Sequence, residues 1–215
     1  MVRRSLCLFL FFGVSACVGP PKDRREPQKH SLAVPVSADV KQCLSDLNSL
    51  KSRYSLVPDQ NFGGGCSVSG AVQLLDVGVP VTNVKAVKCG VARQMALWVR
   101  ESVQPAARDA FGSRVVKLES MGGYACRNVI GNAASSGNRS EHATANAIDI
   151  GGFVLADGRR VSIKAGWTGE SDERKFLRSV RAGGCKRFQT VLSPDYNAAH
   201  HDHLHFDMGR GPFCR

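Results

Sequence analysis

Four of the six histidines crowd into one short run, His200-His201-Asp202-His203-Leu204-His205. A fifth, His142, stands in Ser140-Glu141-His142 and precedes Asp149 by seven residues. His203 and His205 alternate, so on a strand both rings project from one face. Asp149 lies between Ile148 and Ile150. If those isoleucines enter the core, the carboxylate points the other way, toward a site. Two imidazoles and one carboxylate, with a fourth position open, form the three-ligand plan of a catalytic zinc site. Zinc supplies a Lewis acid that brings the pKa of water to about 7 and polarises a carbonyl, and a carboxylate nearby takes the proton as general base. The ordinary readings are a solvated histidine face, or a helix on which His142 and Asp149 share a side. Ile148, Ile150 and Gly151-Gly152 argue against that helix. Ser140 or Ser193 as a hydrolytic nucleophile lacks the elbow such a serine needs.

These residues need a frame. Asn146–Gly152 reads as a strand, and residues 203–208 as another. Val154-Leu155, Asp157-Gly158 and Val161–Ile163 read as a hairpin with an Asp-Gly turn. Residues 187–192 make a strand that reaches the second one through Ser193-Pro194-Asp195. Helices are expected over 40–50, capped by Asp39, over 89–104, ended by Pro105, and over 171–182, stopped by Gly183-Gly184. Residues 58–70 read as loop, 71–88 as broken strand pieces, Val115–Leu118 as a strand, and 120–141 as a long ordered loop of the kind that carries function. The fold class is α+β: a small antiparallel sheet with helices packed on it.

The N-terminus is an address. Arg3 and Arg4 precede the apolar run Leu6–Val14, and Val14-Ser15-Ala16-Cys17 has the pattern of a bacterial lipoprotein signal. Residues 1–16 are expected to be removed and Cys17 to be acylated. Residues 17–37, with Pro20, Pro21, Pro27 and Pro35, form a linker, and 38–215 the domain. By resemblance to Gram-negative lipoproteins, Val18 after the cysteine favours the periplasmic side of the outer membrane over retention at the inner one. Six cysteines remain in the domain: Cys43, Cys66, Cys89, Cys126, Cys185 and Cys214. An even number in an exported chain implies three disulfides. The expectation is pairing of sequence neighbours, Cys43–Cys66, Cys89–Cys126 and Cys185–Cys214. No close pair suits a structural zinc site. A formal charge of +11 over 215 residues suits a polyanionic neighbour, and no nucleic-acid motif is present. No apolar run reaches the length of a membrane span. Oligomeric state is silent in the sequence.

Several segments together carry a resemblance: Gly123-Tyr124-Ala125-Cys126-Arg127, Ser140-Glu141-His142-Ala143, Asn146-Ala147-Ile148-Asp149-Ile150, and Asn197 through His205. Residues 43–215 resemble the bacterial extensin-like C-terminal domain, which is similar to the zinc D-Ala-D-Ala carboxypeptidase and D,D-endopeptidase superfamily. The resemblance implies zinc on His142, Asp149 and His205, and Asp202 as the base. It puts His203 against the reacting carbonyl or water, His200 and Ser140 behind the ligands, and Arg127 at the oxyanion. Two residues, Ala125 and Cys126, separate the tyrosine from that arginine, and Ala145 stands where glycine is frequent. The implied function is zinc-dependent cleavage of peptidoglycan stem peptides or cross-links by a membrane-anchored envelope lipoprotein. The other reading is a non-catalytic peptidoglycan-binding lipoprotein with a structural metal.

Overall fold

A computed structural model describes residues 37–215. The signal, Cys17 and the proline-bearing linker lie outside the described residues. Among the described residues, no helix is long and apolar enough to cross a membrane.

Helix α1 spans Ala38–Ser49. Its cap is Ser37, two residues earlier than expected: the Ser37 hydroxyl accepts from the Val40 amide at 3.3 Å, and Asp39 sits inside the first turn. Asp39 there still favours the helix, because a negative charge complements the N-terminal end of the dipole. Strands β1 (Arg53–Leu56), β4 (Ala71–Asp76) and β6 (Val87–Lys88) form a small sheet. Residues 58–70, expected as loop, contain a hairpin of β2 (Gln60–Gly63) and β3 (Cys66–Val68). Gly63, Gly64 and Gly65 all take positive φ at its tip, which glycine reaches without steric cost.

The larger sheet runs β12 (Phe213–Cys214), β10 (Thr190–Leu192), β11 (Leu204–Asp207), β8 (Ala147–Leu155), β7 (Val115–Gly122), β5 (Val81–Thr82), with β9 (Arg160–Ser162) also on β8. It is antiparallel through its centre; β5–β7 and β10–β12 pair in parallel at its two ends. Helices α2 (Cys89–Trp98), α3 (Gln104–Phe111), α4 (Ile163–Gly166) and α5 (Ser171–Cys185) pack with it. Trp98, Phe153, Phe176 and Phe206 are fully buried in the core. Trp98 lies 4.9 Å from Phe206, centroid to centroid, and its indole N–H donates to the Val180 carbonyl at 2.8 Å, so the one polar atom of that ring is satisfied.

Two helix ends differ from expectation. The chain does not stop before Pro105. A π-helical turn, Val99–Val103, leads directly into α3, and Pro105 falls in the first turn of α3. Nor do Gly183 and Gly184 end α5, which runs to Cys185. A Cβ on Gly183 would collide with Ser102, and one on Gly184 with the Phe206 ring. Those glycines permit close approach of the helix to its neighbours, a need that local sequence does not display.

Two disulfides also pair differently. Cys43 joins Cys89 and Cys66 joins Cys126, while Cys185 joins Cys214 as expected. Packing of α1 against α2 brings Cys43 to the start of α2, with Cα atoms 6.1 Å apart. Cys66, on the β2–β3 hairpin, instead faces the segment that leaves β7, at 5.5 Å. Neighbourhood in sequence yields to neighbourhood between packed elements.

The sheet sorts its side chains strictly. Ile148 and Ile150 of β8, and Leu204 and Phe206 of β11, are wholly buried in the core. The residues alternating with them, Asp149 and Gly151, His205 and Asp207, belong to the other face. In the β8–β11 ladder His205 lies directly opposite Asp149.

Candidate metal centre

His142 rides on a single 3-10 turn, Glu141–Thr144. The Ser140 hydroxyl accepts from the His142 amide at 3.4 Å, so Ser140 acts on the backbone of the turn and not on the ring. Ala145 closes the turn in the left-handed region, φ 55°, and directs the chain into β8. Its methyl is buried with Val68, Ala71 and Ala86, which gives a side chain a use at a position where glycine would be easier. The His142 ring donates from Nδ1 to the Gly123 carbonyl. A Cβ on Gly123 would collide with the Ala86 carbonyl, so glycine is what lets this segment lie there.

With Nδ1–H so committed, His142 directs the lone pair of Nε2 inward. That atom lies 3.1 Å from Asp149 Oδ2 and 3.1 Å from His205 Nδ1. His205 Nδ1 is 2.9 Å from Asp149 Oδ1, and its other nitrogen, Nε2, lies 3.0 Å from Asp207 Oδ2. His142, Asp149 and His205 therefore offer ligand atoms that all fall within 4.8 Å of one another. Each imidazole is fixed from behind by a carbonyl or a carboxylate, the outer arrangement that orients metal ligands. Three lone-pair donors meet in a buried place, and only a proton or a cation reconciles them. The donor set fits a divalent ion of intermediate softness such as zinc.

The charges agree with that picture. Burial would raise the Asp149 carboxyl, but the close imidazoles of His142 and His205 outweigh it and hold the group far below its ordinary range. Burial would lower His205; its bonds to Asp149 and Asp207 win and push it up to about 9.

The remaining expected residues surround this cluster. β11 begins at Leu204, so His203, expected at the start of that strand, precedes it together with Asp202. Asp202 does not aim its carboxylate straight into the ligand cluster: Oδ1 lies 2.9 Å from His203 Nδ1, and that bond keeps the Asp202 carboxyl below its usual range. His203 then presents Nε2 to the centre, 3.7 Å from Asp149 Oδ1. His200, on a 3-10 turn capped by Asn197, bonds the Asn197 side-chain oxygen through Nδ1 at 2.7 Å. Burial, then the charges of His203 and His205, push His200 down to about 4, so it is a neutral imidazole at ordinary pH. His201 is exposed and bonds only its own turn.

Arg127 is half-buried in the wall of a cleft of about 560 Å3, which His200, His205 and Asp207 also line. Its loop is pinned by Cys66–Cys126, and the Ser140 amide donates to the Arg127 carbonyl at 3.1 Å. Arg139 and Arg210 line the same cleft, which makes it basic.

Sequence reasoning missed Asp207, the Gly123 carbonyl, Asn197 and Arg210. Asp207 had a signal: it follows His205 by two on an alternating strand, hence on the same face. Asp207→Asn is expected to weaken zinc binding by roughly 10- to 100-fold with the secondary structure unchanged. Competition with a chromophoric chelator, beside circular dichroism, measures both.

Residues 41–215 match the family described as Extensin-like protein C-terminus. The chain belongs to that family. The extensin-like match takes in both histidine segments, Asp149, Arg127 and all six domain cysteines. No curated protein and no solved structure matches this chain.

Proposed function

We propose that this extensin-like protein is a zinc-dependent peptidoglycan peptidase, a D,D-endopeptidase or D,D-carboxypeptidase, tethered in the envelope through Cys17. The observation that carries the reading is the convergence of His142 Nε2, Asp149 and His205 Nδ1, each oriented from behind, beside a basic cleft. Zinc held there would supply Lewis acidity toward water and an amide carbonyl at neutral pH. The chain's own groups do the rest. His203 takes a proton at Nε2, and Asp202, bonded to its Nδ1, keeps the ring in the right tautomer and stabilises the imidazolium that results. Asp202 therefore works through His203, one step behind the role that the resemblance implies. The Arg127 guanidinium, on the cleft wall, meets the negative charge that develops on the carbonyl oxygen. Arg139 and Arg210 attract the carboxylates of stem peptides.

The test is digestion of purified sacculi, with the muropeptides separated afterwards. Cleavage is expected with zinc, is lost with a chelator and returns when zinc is restored. Retention of sacculi by the zinc-loaded protein without any cleavage, across pH and salt, selects the binding-protein reading instead.

A further inference from the structure

A second cavity, about 360 Å3, lies beside the metal cluster, and none of the chemistry above uses it. Its lining includes Ser120, Met121, Gly151, Lys164 and Asp202. Two links place it next to the reacting centre. Gly151 follows Asp149 by two on β8, so it occupies the same sheet face one step along the strand. Asp202, on its rim, is bonded to His203, whose other nitrogen faces Asp149. The first cleft lies with His205, His200 and Asp207; the second lies with Gly151 and Asp202. The ligand cluster thus has open space on both flanks.

The second cavity is lined by Glu119 and Asp202 as well as by Arg160 and Lys164, and each flank keeps a cation without an ion-pair partner among the described residues. Arg127 and Arg210 in the first cleft make no ion pair among the described residues, and neither does Lys164 in the second, whereas Arg160 beside it is engaged by Glu119 at 2.6 Å. Gly151 keeps the floor of the groove clear: a Cβ there would already press on the Met121 side chain, 3.3 Å away. Met121 itself is about half exposed.

We infer that the groove of Met121, Gly151 and Lys164 is a binding site for the second limb of a cross-linked, carboxylate-bearing peptide, so that the substrate crosses the metal centre and the bond attacked is internal. An enzyme that removes a terminal residue needs room for a chain on one side only. One that cuts a cross-link must hold chain on both sides of the carbonyl. The inference rests on the peptidase reading for its chemistry, but the groove is read from binding and the chemistry from the products.

The measurement is the dissociation constant of the zinc-loaded full-length protein for a cross-linked muropeptide dimer and for the corresponding uncross-linked monomer, paired with product analysis. The dimer is expected to bind about tenfold more tightly than the monomer, because only the dimer fills both cavities. Lys164→Glu places like charge against a carboxylate, and Met121→Trp fills the groove with bulk. Each is expected to weaken the dimer about tenfold and the monomer less than about twofold. Equal weakening of both ligands, or none of either, overturns the inference. So does release of a terminal residue with every cross-link left intact. Dimer-selective binding that depends on Lys164 and Met121 with no cleavage of any muropeptide sustains the groove and sinks the peptidase reading, which separates the two failures.

Discussion

His205→Ala is expected to lower hydrolysis by roughly a thousandfold or more and to yield protein that no longer retains zinc. Lewis-acid stabilisation of developing charge contributes several kcal/mol, and about 1.4 kcal/mol is a factor of ten in rate. Of the three proposed ligands, His205 has the most to lose. It bridges Asp149 on one nitrogen and Asp207 on the other, so alanine leaves two buried carboxylates without their common partner. Breaking a buried charged contact in this way costs about 3–5 kcal/mol. Should the variant fail to fold, wild type stripped by a chelator gives the comparison: it keeps every side chain and loses only the ion. Recovery of its activity by zinc, with none in a folded His205→Ala, assigns the effect to ligation.

The stripped protein carries a pH signature of definite sign. His205 is raised in the folded state to about 9 from an ordinary 6.5. A raised folded value stabilises the fold fully below the unfolded value, and that stabilisation fades as pH climbs through about 9. Zinc held as proposed would displace the His205 proton, so its affinity is expected to rise over the same interval. The metal-free protein is therefore expected to melt at lower temperature as pH goes from 6.5 to 9, and the gap between zinc-loaded and stripped melting temperatures to widen. A gap that narrows with pH would contradict the assignment of His205 as both proton holder and ligand.

Much of this centre is legible in one strand pattern. Ile148-Asp149-Ile150 and Leu204-His205-Phe206 each alternate core and site, and a period of two cannot place the isoleucines inward without turning Asp149 outward. The same logic would have reached Asp207. It could not reach the Gly123 carbonyl or Asn197, because a backbone acceptor and a capping amide gain their roles only when distant segments close on the rings. The helices show the same boundary. Pro105 and Gly183-Gly184 have the local chemistry of helix ends, yet one starts a helix after a π turn and the others fit against Ser102 and Phe206. Tertiary contact overrides local preference at both places.

The disulfides carry that lesson to its largest measurable effect on stability. Replacing Cys66 and Cys126 together by serine is expected to cost about 2–5 kcal/mol, because the bond closes a loop with a sequence separation of 60 and the entropy removed from the unfolded chain grows with that length. Chemical denaturation measures the loss directly. Cys66–Cys126 has a second consequence that Cys43–Cys89 and Cys185–Cys214 lack. Cys126 is three residues beyond Gly123, whose carbonyl orients His142, and next to Arg127 on the cleft wall. Severing it should weaken zinc binding as well as the fold, while the Cys43, Cys89 double serine variant should lose stability with affinity retained. A single Cys126→Ser variant discriminates the pairing itself. It leaves a free thiol at Cys66 if the hairpin is the partner, and at Cys89 if sequence neighbours pair, so alkylation and peptide mapping decide between them. A thiol at Cys89 would detach the β2–β3 hairpin from the loop it buttresses and remove the physical reason for the linked loss of metal.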